Sequence, residues 1–248
     1  VSFVSPKAVP SMAGADEVMA SLHRADGVTY LALVPNLRGA ELAMAAGVDG
    51  LTVTVSASAA YNEKNVRMTI DESVAAVGAI CGAVDGLPVD AVVSCAFGSP
   101  YEGDIAPAEV GELAGRLREA GATSLTYADT TGMATPRRVH DLLDVVGTDC
   151  GLHLHETRGT ALVNAYAALE AGVGRFDTSV GGLGGSPFAA GAAGNLATED
   201  LVHLLDDLGV PTGVDLEKLL AVSRSVAELV GHPVPSRVAA AGPRSRLA

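Results

Sequence analysis

The chain has 248 residues, of which 48% are hydrophobic and only 4% aromatic, and its formal net charge is −13. This acidity argues against a nucleic-acid partner, because binding to a phosphate backbone requires clustered lysine and arginine. Apolar stretches such as residues 75–84 contain glycine and are much shorter than the ~20 residues of a membrane-spanning helix, so we expect no membrane segment.

The predicted strands are short apolar runs at residues 30–34, 51–55, 89–96, 124–128, 151–155 and 175–178. Helix-like segments lie between them, and this alternation indicates βα units around a parallel sheet. Thr69 with Glu72 fits a capping box, Pro136 fits a first helical turn and Gly121 fits a helix stop. Helices at 196–208 and 216–229 close the chain, followed by a poorly structured tail at 238–248.

The length suits either one α/β barrel or two small domains. No linker, internal repeat or low-complexity tract divides the chain, so a single domain over residues 1–248 is the simpler interpretation. The three cysteines have no CxxC spacing, which argues against a disulfide framework and favours a reducing, cytoplasmic location.

Two histidines end the fifth predicted strand. Because side chains alternate along a strand, His153 and His155 face one side while Leu152 and Leu154 face the other. Two imidazoles on one face form half of a metal site, although a strand histidine is more often structural. By chemistry the nearest further ligand is the amide oxygen of Asn195, at a predicted loop-to-helix junction.

The wider pattern favours the metal site. A glycine-rich segment at 179–188 and the segment 194–200 are the most specific features, and further matching segments are residues 2–7, 35–37, 94–96, 100–103 and 129–130. Together they closely resemble the 3-hydroxy-3-methylglutaryl-CoA lyases, a family of metal-dependent TIM-barrel enzymes. The resemblance implies a TIM (β/α)₈ barrel. Six strands are complete and residues 1–3 look like the end of another, so we expect the first strand and its helix to lie upstream.

The resemblance implies that His153, His155 and Asn195 are metal ligands. Imidazole, amide and carboxylate ligands suit Mg²⁺ or Mn²⁺. The remaining family ligand, an Asp beside an Arg on the first strand, is absent from this sequence, so the set is incomplete. Glu199 would share a helical face with Asn195 and orient its amide as a second-shell partner; it is equally consistent with an ordinary acid in a first helical turn.

Several polar residues follow predicted strands, where barrel enzymes place their chemistry. Asp129 is predicted to contact a substrate hydroxyl or a metal-bound water, with an Asx-turn as the structural alternative. Ser2, Thr126 and Thr130 are predicted to bind substrate; Thr126 would need a bend in the strand to share a pocket with Asp129.

Ser186 departs from the family. The lyases carry a cysteine in Gly-Gly-Cys-Pro, whereas this chain has Gly185-Ser186-Pro187. A serine hydroxyl is much less acidic than a thiol and is a poor unaided proton donor. Three interpretations stay open: Ser186 relays a proton through water, another residue donates it, or a related reaction needs no thiol there.

The resemblance therefore implies a retro-Claisen lyase that cleaves a 3-hydroxy-3-methylglutaryl-CoA-like thioester to acetyl-CoA and a keto acid such as acetoacetate. In that reaction His153 or the absent Asp would be the base, with Asp129 and Ser186 as the other catalytic residues. An acyl-CoA condensing enzyme of the isopropylmalate or citramalate synthase type is the first alternative, and a non-catalytic acyl-CoA-binding barrel is the second. The expected partner is an acyl-CoA thioester, with a homodimer as the expected assembly.

Overall fold

A computed structural model describes residues 1–7, 9–84, 86–185 and 194–244. The chain divides into two compact units, the first comprising Val1–Ala96 and Ile105–Tyr127 and the second comprising Phe97–Asp104 and Ala128–Ala248. This division leaves the predicted single domain over residues 1–248 untested. Within the described ranges, no helix combines the length and the apolar character needed to cross a bilayer.

The first unit is built on parallel strands that pair in chain order. They are β1 (Leu31–Leu33), β2 (Gly50–Ser56), β3 (Val89–Ser94) and most of β4 (Ser124–Asp129). A short 3₁₀ helix (Pro10–Met12) and five α-helices complete it: α1 (Ala15–Ser21), α2 (Leu37–Ala45), α3 (Ala59–Val66), α4 (Ile70–Ala83) and α5 (Pro107–Glu119). Ser2 forms a parallel bridge with Leu33, so residues 1–3 do lie beside β1 as a strand end.

Local chemistry explains where α4 begins. The Thr69 hydroxyl accepts a hydrogen bond from Glu72 N at 3.2 Å, and the Glu72 carboxylate accepts one from Thr69 N at 2.8 Å. This is the predicted capping box, which satisfies two N–H groups that the helix itself cannot. Val77 and Ile80 of α4 are buried, and the helix packs on β2.

Alternation along the strands separates an apolar face from a polar one. Leu51, Val53 and Val55 of β2 are almost fully buried. On β3 and β4, Asp90 receives hydrogen bonds from Ser124 Oγ at 2.6 Å and from Thr126 Oγ1 at 2.7 Å. Thr126 therefore projects on the same face as Ser124, as the two-residue period of a strand requires.

The second unit carries the remaining elements. They are the end of β4, α6 (Pro136–Val146), β5 (Gly151–Leu154), α7 (Ala161–Ala171), β6 (Arg175–Asp177), a 3₁₀ helix (Val180–Gly182), α8 (Thr198–Asp207), α9 (Leu216–Val230) and α10 (Arg237–Ala241). β5 and β6 are parallel, with His153 opposite Asp177. All six predicted strands are thus confirmed, each within two residues of its predicted bounds.

The helix predicted at residues 196–208 is confirmed at Thr198–Asp207, within two residues of its predicted bounds. It does not begin earlier because Leu196 N donates to Leu154 O at 2.8 Å and Asn195 pairs with His155, which keeps this stretch extended. One prediction near the carboxyl end is wrong. The predicted unstructured tail at 238–248 overlaps α10, whose first turn is capped by Ser236 and held by the Asp200 carboxylate. Residues 245–248 lie outside the described part.

Candidate metal site

The two predicted histidine ligands face each other at the end of β5. Their Nε2 atoms are 3.0 Å apart, while Leu152 and Leu154 are buried on the opposite face. His153 Nδ1 lies 2.7 Å from the Asp177 carboxylate, its register partner on β6. A carboxylate at Nδ1 holds the proton there and leaves the Nε2 lone pair available to a cation.

Two ring nitrogens at this separation need either a shared proton or a shared cation between them, since facing lone pairs repel. Ligands that lie ~2.1 Å from one octahedral cation at right angles are ~3.0 Å apart. Burial, followed by the nearby charge of His153, lowers the pKa of His155 to about 4, which keeps its imidazole neutral at physiological pH. Metal binding requires a neutral imidazole.

Asn195 joins the histidines through main-chain pairing. It forms an antiparallel bridge with His155, and directly opposed residues project on the same face. Its Nδ2 donates to Leu183 O at 2.7 Å, which directs the amide oxygen away from Leu183. That oxygen, Oδ1, is buried and has no hydrogen-bond partner within the described residues. Gly184 carries no side chain here because a Cβ atom would collide with the Asn195 amide.

The donor set fits a hard divalent cation. Within the described ranges, no group of three or more His, Cys, Asp or Glu side chains could hold a metal ion. The candidate ligands among the described residues are two imidazoles and one carboxamide, which matches the incomplete set expected from the sequence. The unpaired Asn195 Oδ1 and the close Nε2 pair are the two features that a bound cation would satisfy.

Glu199 does not have the predicted geometry. It is fully buried near the start of α8, and Asn195 lies outside that helix, so the two share no helical face. Its carboxylate instead accepts hydrogen bonds from Gly181 N at 2.8 and 2.9 Å and from the Ser223 hydroxyl. Glu199 therefore binds the backbone of the glycine-rich segment at Gly181. The same segment contains Leu183, whose carbonyl accepts the hydrogen bond from the Asn195 amide.

Asp129 is both a turn residue and a candidate base. Its Oδ1 accepts a hydrogen bond from Met133 N at 2.6 Å, whereas its buried Oδ2 has no partner within the described residues. Burial raises the pKa of Asp129 to about 6, against the opposing effects of two backbone hydrogen bonds and of the charges of Arg158 and His153. The pKa of Asp129 therefore lies close to neutral pH, and one of its carboxylate oxygens has no hydrogen-bond partner among the described residues.

Two residues that support the site were missed by sequence reasoning. Arg158 Nη1 donates to Thr131 O at 2.8 Å and to Gly132 O at 2.9 Å, which fixes the turn that follows Asp129. Asp177 orients His153. Aligning the fifth and sixth predicted strands would have suggested Asp177, but nothing in the residue spacing indicated Arg158.

The other predicted site residues are placed as follows. Ser2 and Thr126 belong to the first unit, where Ser2 Oγ is buried without a hydrogen-bond partner in the described part and Thr126 is bonded to Asp90. Thr130 belongs to the second unit and is partly buried. Ser186 lies outside the described residues.

Comparison with known proteins gives a consistent result. The HMGL-like family model matches residues 5–226. The chain is 42% identical over 247 residues to the mitochondrial hydroxymethylglutaryl-CoA lyase of Homo sapiens, covering 97% of this chain and 76% of that protein. It is 40% identical over 259 residues to the (R)-citramalyl-CoA lyase of Chloroflexus aurantiacus, covering 98% of this chain and 82% of that protein.

A solved structure shows the same similarity. An HMG-CoA lyase from Acinetobacter baumannii, in complex with coenzyme A and 3-methylmalate, superposes with a TM-score of 0.94 at 42% identity. The match covers 100% of this chain and 83% of that one. The predicted TIM-barrel fold is confirmed by this similarity together with the six alternating parallel strands.

Proposed function

The chain belongs to the HMGL-like family, and we propose that it is a divalent-metal-dependent enzyme that cleaves 3-hydroxy-3-methylglutaryl-CoA to acetyl-CoA and acetoacetate. Its similarity to hydroxymethylglutaryl-CoA and citramalyl-CoA lyases makes it a carbon–carbon lyase of CoA thioesters. The observation that carries the metal dependence is the Nε2 pair of His153 and His155 beside the unpaired Asn195 oxygen.

His153, His155 and Asn195 would hold Mg²⁺ or Mn²⁺. When bound, the cation would supply Lewis-acid polarisation of the substrate oxygens and fix their orientation. The protein's own part is to keep the donors in place: Asp177 fixes the ring of His153, and Leu183 O fixes the amide of Asn195. Such preorganised donors need no rearrangement during the reaction.

We assign the base to Asp129. His153 was the sequence-based candidate, but its Nδ1 is engaged by Asp177 and its Nε2 faces His155, which leaves no nitrogen to accept a proton when it binds metal. Asp129 Oδ2 is unpaired, and a pKa of about 6 suits proton transfer near neutral pH. The cleavage is redox-neutral overall and needs no external oxidant: the hydroxyl proton goes to Asp129, a C=O bond forms at the carbinol carbon, and the electrons of the broken C–C bond go to the thioester enolate.

The enolate then takes up a proton at carbon to become acetyl-CoA. The family resemblance puts Ser186 at the position of the donor thiol, and the three interpretations of that serine stay open because Ser186 lies outside the described residues. The two named relatives cleave CoA thioesters, which favours cleavage over the condensing-synthase alternative. The unpaired, pKa-shifted Asp129 favours turnover over the alternative of binding alone.

A second substrate is favoured by a specific observation. Identity to the citramalyl-CoA lyase is 40%, almost the same as the 42% to the human enzyme. Citramalyl-CoA also has a tertiary hydroxyl, a methyl group and a free carboxylate, and the same bond cleavage would give acetyl-CoA and pyruvate. The two thioesters differ by one methylene, and a pocket distinguishes such a difference by only about 1–3 kcal/mol. Both substrates are therefore tested together.

The test is an assay of metal-free protein with each thioester, before and after addition of Mn²⁺ or Mg²⁺. We expect release of acetyl-CoA with acetoacetate from 3-hydroxy-3-methylglutaryl-CoA, dependent on added metal. Higher kcat/KM with citramalyl-CoA would instead assign the second substrate. Equal turnover with and without metal would contradict the metal proposal, and acetyl-CoA consumption in the presence of a 2-oxo acid would support the synthase.

A further inference from the structure

Two consecutive residues near the carboxyl end contact both segments that hold Asn195. Ser236 and Arg237 lie ten or more residues beyond residue 226, where the match to the family model ends. We propose that they form a C-terminal clasp, comprising Val234–Arg237 and the carboxylate of Asp200, that positions Asn195 for metal binding. This inference rests on the proposed metal site.

The first side of the clasp holds the glycine-rich segment. Ser236 N donates to Gly181 O at 2.9 Å, while Glu199 accepts from Gly181 N. Gly181 has a φ of +70°, and a Cβ atom there would lie 2.7 Å from Val234 Cβ, so Val234 packs directly on its backbone. Leu183 follows two residues later and accepts the Asn195 amide hydrogen bond. Fixing Gly181 therefore limits the positions of the carbonyl that orients Asn195.

The second side holds the strand segment that pairs with Asn195. Arg237 Nη1 donates to Glu156 Oε1 at 2.8 Å, and the other oxygen of Glu156 accepts from Ala161 N at 2.9 Å. Glu156 N in turn donates to Gly194 O at 3.0 Å. Because Glu156 follows His155 and Gly194 precedes Asn195, this contact continues the pairing between the two candidate ligands.

Asp200 makes the two sides act together. Its Oδ1 accepts from Ser236 Oγ at 2.7 Å and from Val238 N at 2.9 Å, and its Oδ2 accepts from Arg237 N at 3.2 Å. Asp200 is mostly buried on α8. One carboxylate thus holds both the Ser236 hydroxyl and the backbone N–H groups of Arg237 and Val238.

The packing around the clasp is incomplete on one side. A cavity of about 190 Å³ lies between the two sides of the clasp; its lining includes Glu156, Gly182, Asn195, Asp200, Pro235 and Arg237. Side chains that border a cavity lack the close neighbours that would otherwise keep them in place. Loss of the Arg237 or Ser236 side-chain contacts is therefore expected to make the position of Asn195 less fixed, without exposing buried core residues to solvent.

The experiment measures Mn²⁺ affinity of the metal-free full chain by electron paramagnetic resonance of the unbound ion. The variants are Arg237→Met, Ser236→Ala and the double variant. Loss of residues that orient metal ligands typically weakens metal affinity by about 10–100-fold, so we expect about tenfold weaker binding in the double variant. Arg237→Lys is expected to regain part of the affinity, since an ammonium group can still pair with Glu156.

Arg244→Met is the matched control. Arg244 makes an ion pair of similar length, 2.7 Å, with Asp207, away from the clasp. We expect Mn²⁺ affinity within about twofold of wild type, which is the scale of a surface pair worth less than 1 kcal/mol. Thermal unfolding midpoints of all variants show whether any loss of affinity merely follows loss of stability.

The outcomes separate the two proposals. If the wild type binds Mn²⁺ and the double variant binds it with equal affinity, the clasp proposal is overturned and the metal-site proposal stands. Equal losses of affinity and stability in the double variant and in Arg244→Met also overturn it, because the contact is then only structural. Wild type that binds no Mn²⁺ overturns the metal site, and the clasp with it.

Discussion

A buried asparagine, Asn62, and a partly buried one, Asn195, show how a structural amide differs from a candidate ligand. In the first unit, Asn62 is 2% exposed, and its Oδ1 accepts from Ser56 N at 3.0 Å. Its Nδ2 lies 2.8 Å from both Met68 O and Ser73 Oγ. In the second unit, the Asn195 amide donates to Leu183 O, and among the described residues its Oδ1 has no partner.

The difference lies in what each amide still lacks. A buried polar atom without a partner costs about 1–3 kcal/mol, and a bound ligand that supplies the partner recovers that cost. Every polar group of Asn62 is used by the protein itself, joining the end of β2 to the start of α4. The Oδ1 of Asn195 accepts no hydrogen bond from the described residues, and Asn195 pairs with His155. The same type of side chain therefore supports stability at Asn62 and, under the proposed metal site, ligand binding at Asn195.

The largest expected effect comes from removing the Asn195 amide, whose oxygen is the proposed metal ligand. Asn195→Ala should lower turnover at least about 100-fold and weaken Mn²⁺ binding more than about tenfold, because a direct ligand is lost. Its free energy of unfolding in the presence of chelator should change by less than about 1 kcal/mol, since one hydrogen bond and one unpaired oxygen disappear together. Steady-state kinetics, Mn²⁺ titration and urea unfolding measure the three quantities.

Asn62→Ala is the converse of that variant. It leaves Ser56 N, Met68 O and Ser73 Oγ with fewer partners in a buried environment, so the free energy of unfolding should fall by about 3 kcal/mol. Turnover and Mn²⁺ affinity of the folded protein should stay within about twofold. If Asn195→Ala proved the destabilising variant and Asn62→Ala the inactive one, the comparison would be wrong.

The sequence predicted the strands well because their determinants are local. Apolar runs bounded by glycine and polar residues define all six strands, and the two-residue period alone predicted that His153 and His155 share a face. The capping box at Thr69 depends on residues three apart, and it too is confirmed. Asn195 was suggested by the chemistry of its amide oxygen and then by family resemblance, because its pairing with His155 spans 40 positions and has no local pattern.

What failed depended on contacts between distant segments. Glu199 was placed on one helical face with Asn195, but pairing to β5 delays the start of α8 and leaves Glu199 bound to Gly181 instead. The helix at Arg237–Ala241 is stabilised by Asp200, a partner that no local pattern of the tail reveals. Tertiary hydrogen bonds of this kind override local propensity.

A smaller effect is expected at Asp129, another buried group with an unpaired oxygen. Its pKa of about 6 in the folded protein lies above its ordinary 3.8, so the folded state binds the proton more tightly than the unfolded chain does. The contribution of Asp129 to the free energy of unfolding is therefore greatest below about pH 4. It falls as the pH rises from about 4 to 6.

Asp129→Asn removes that ionisation. We expect the variant to gain about 2 kcal/mol in unfolding free energy at pH 7 in the presence of chelator, although the proposed base is lost. The gain should shrink as the pH falls and vanish near pH 4. Urea unfolding of both proteins at several pH values checks this, and a difference that is independent of pH would rule out the carboxylate as its cause.

The smallest effect is expected at Thr126, which the sequence suggested as a substrate contact. Its hydroxyl is already bonded to Asp90, like the amide of Asn62 and unlike that of Asn195. Thr126→Val keeps the shape but removes that bond, and Asp90 retains Ser124, so the free energy of unfolding should fall by only about 1 kcal/mol. KM should stay within about twofold. A tenfold rise in KM with unchanged stability would contradict this expectation and would favour the sequence-based role of Thr126 in binding substrate.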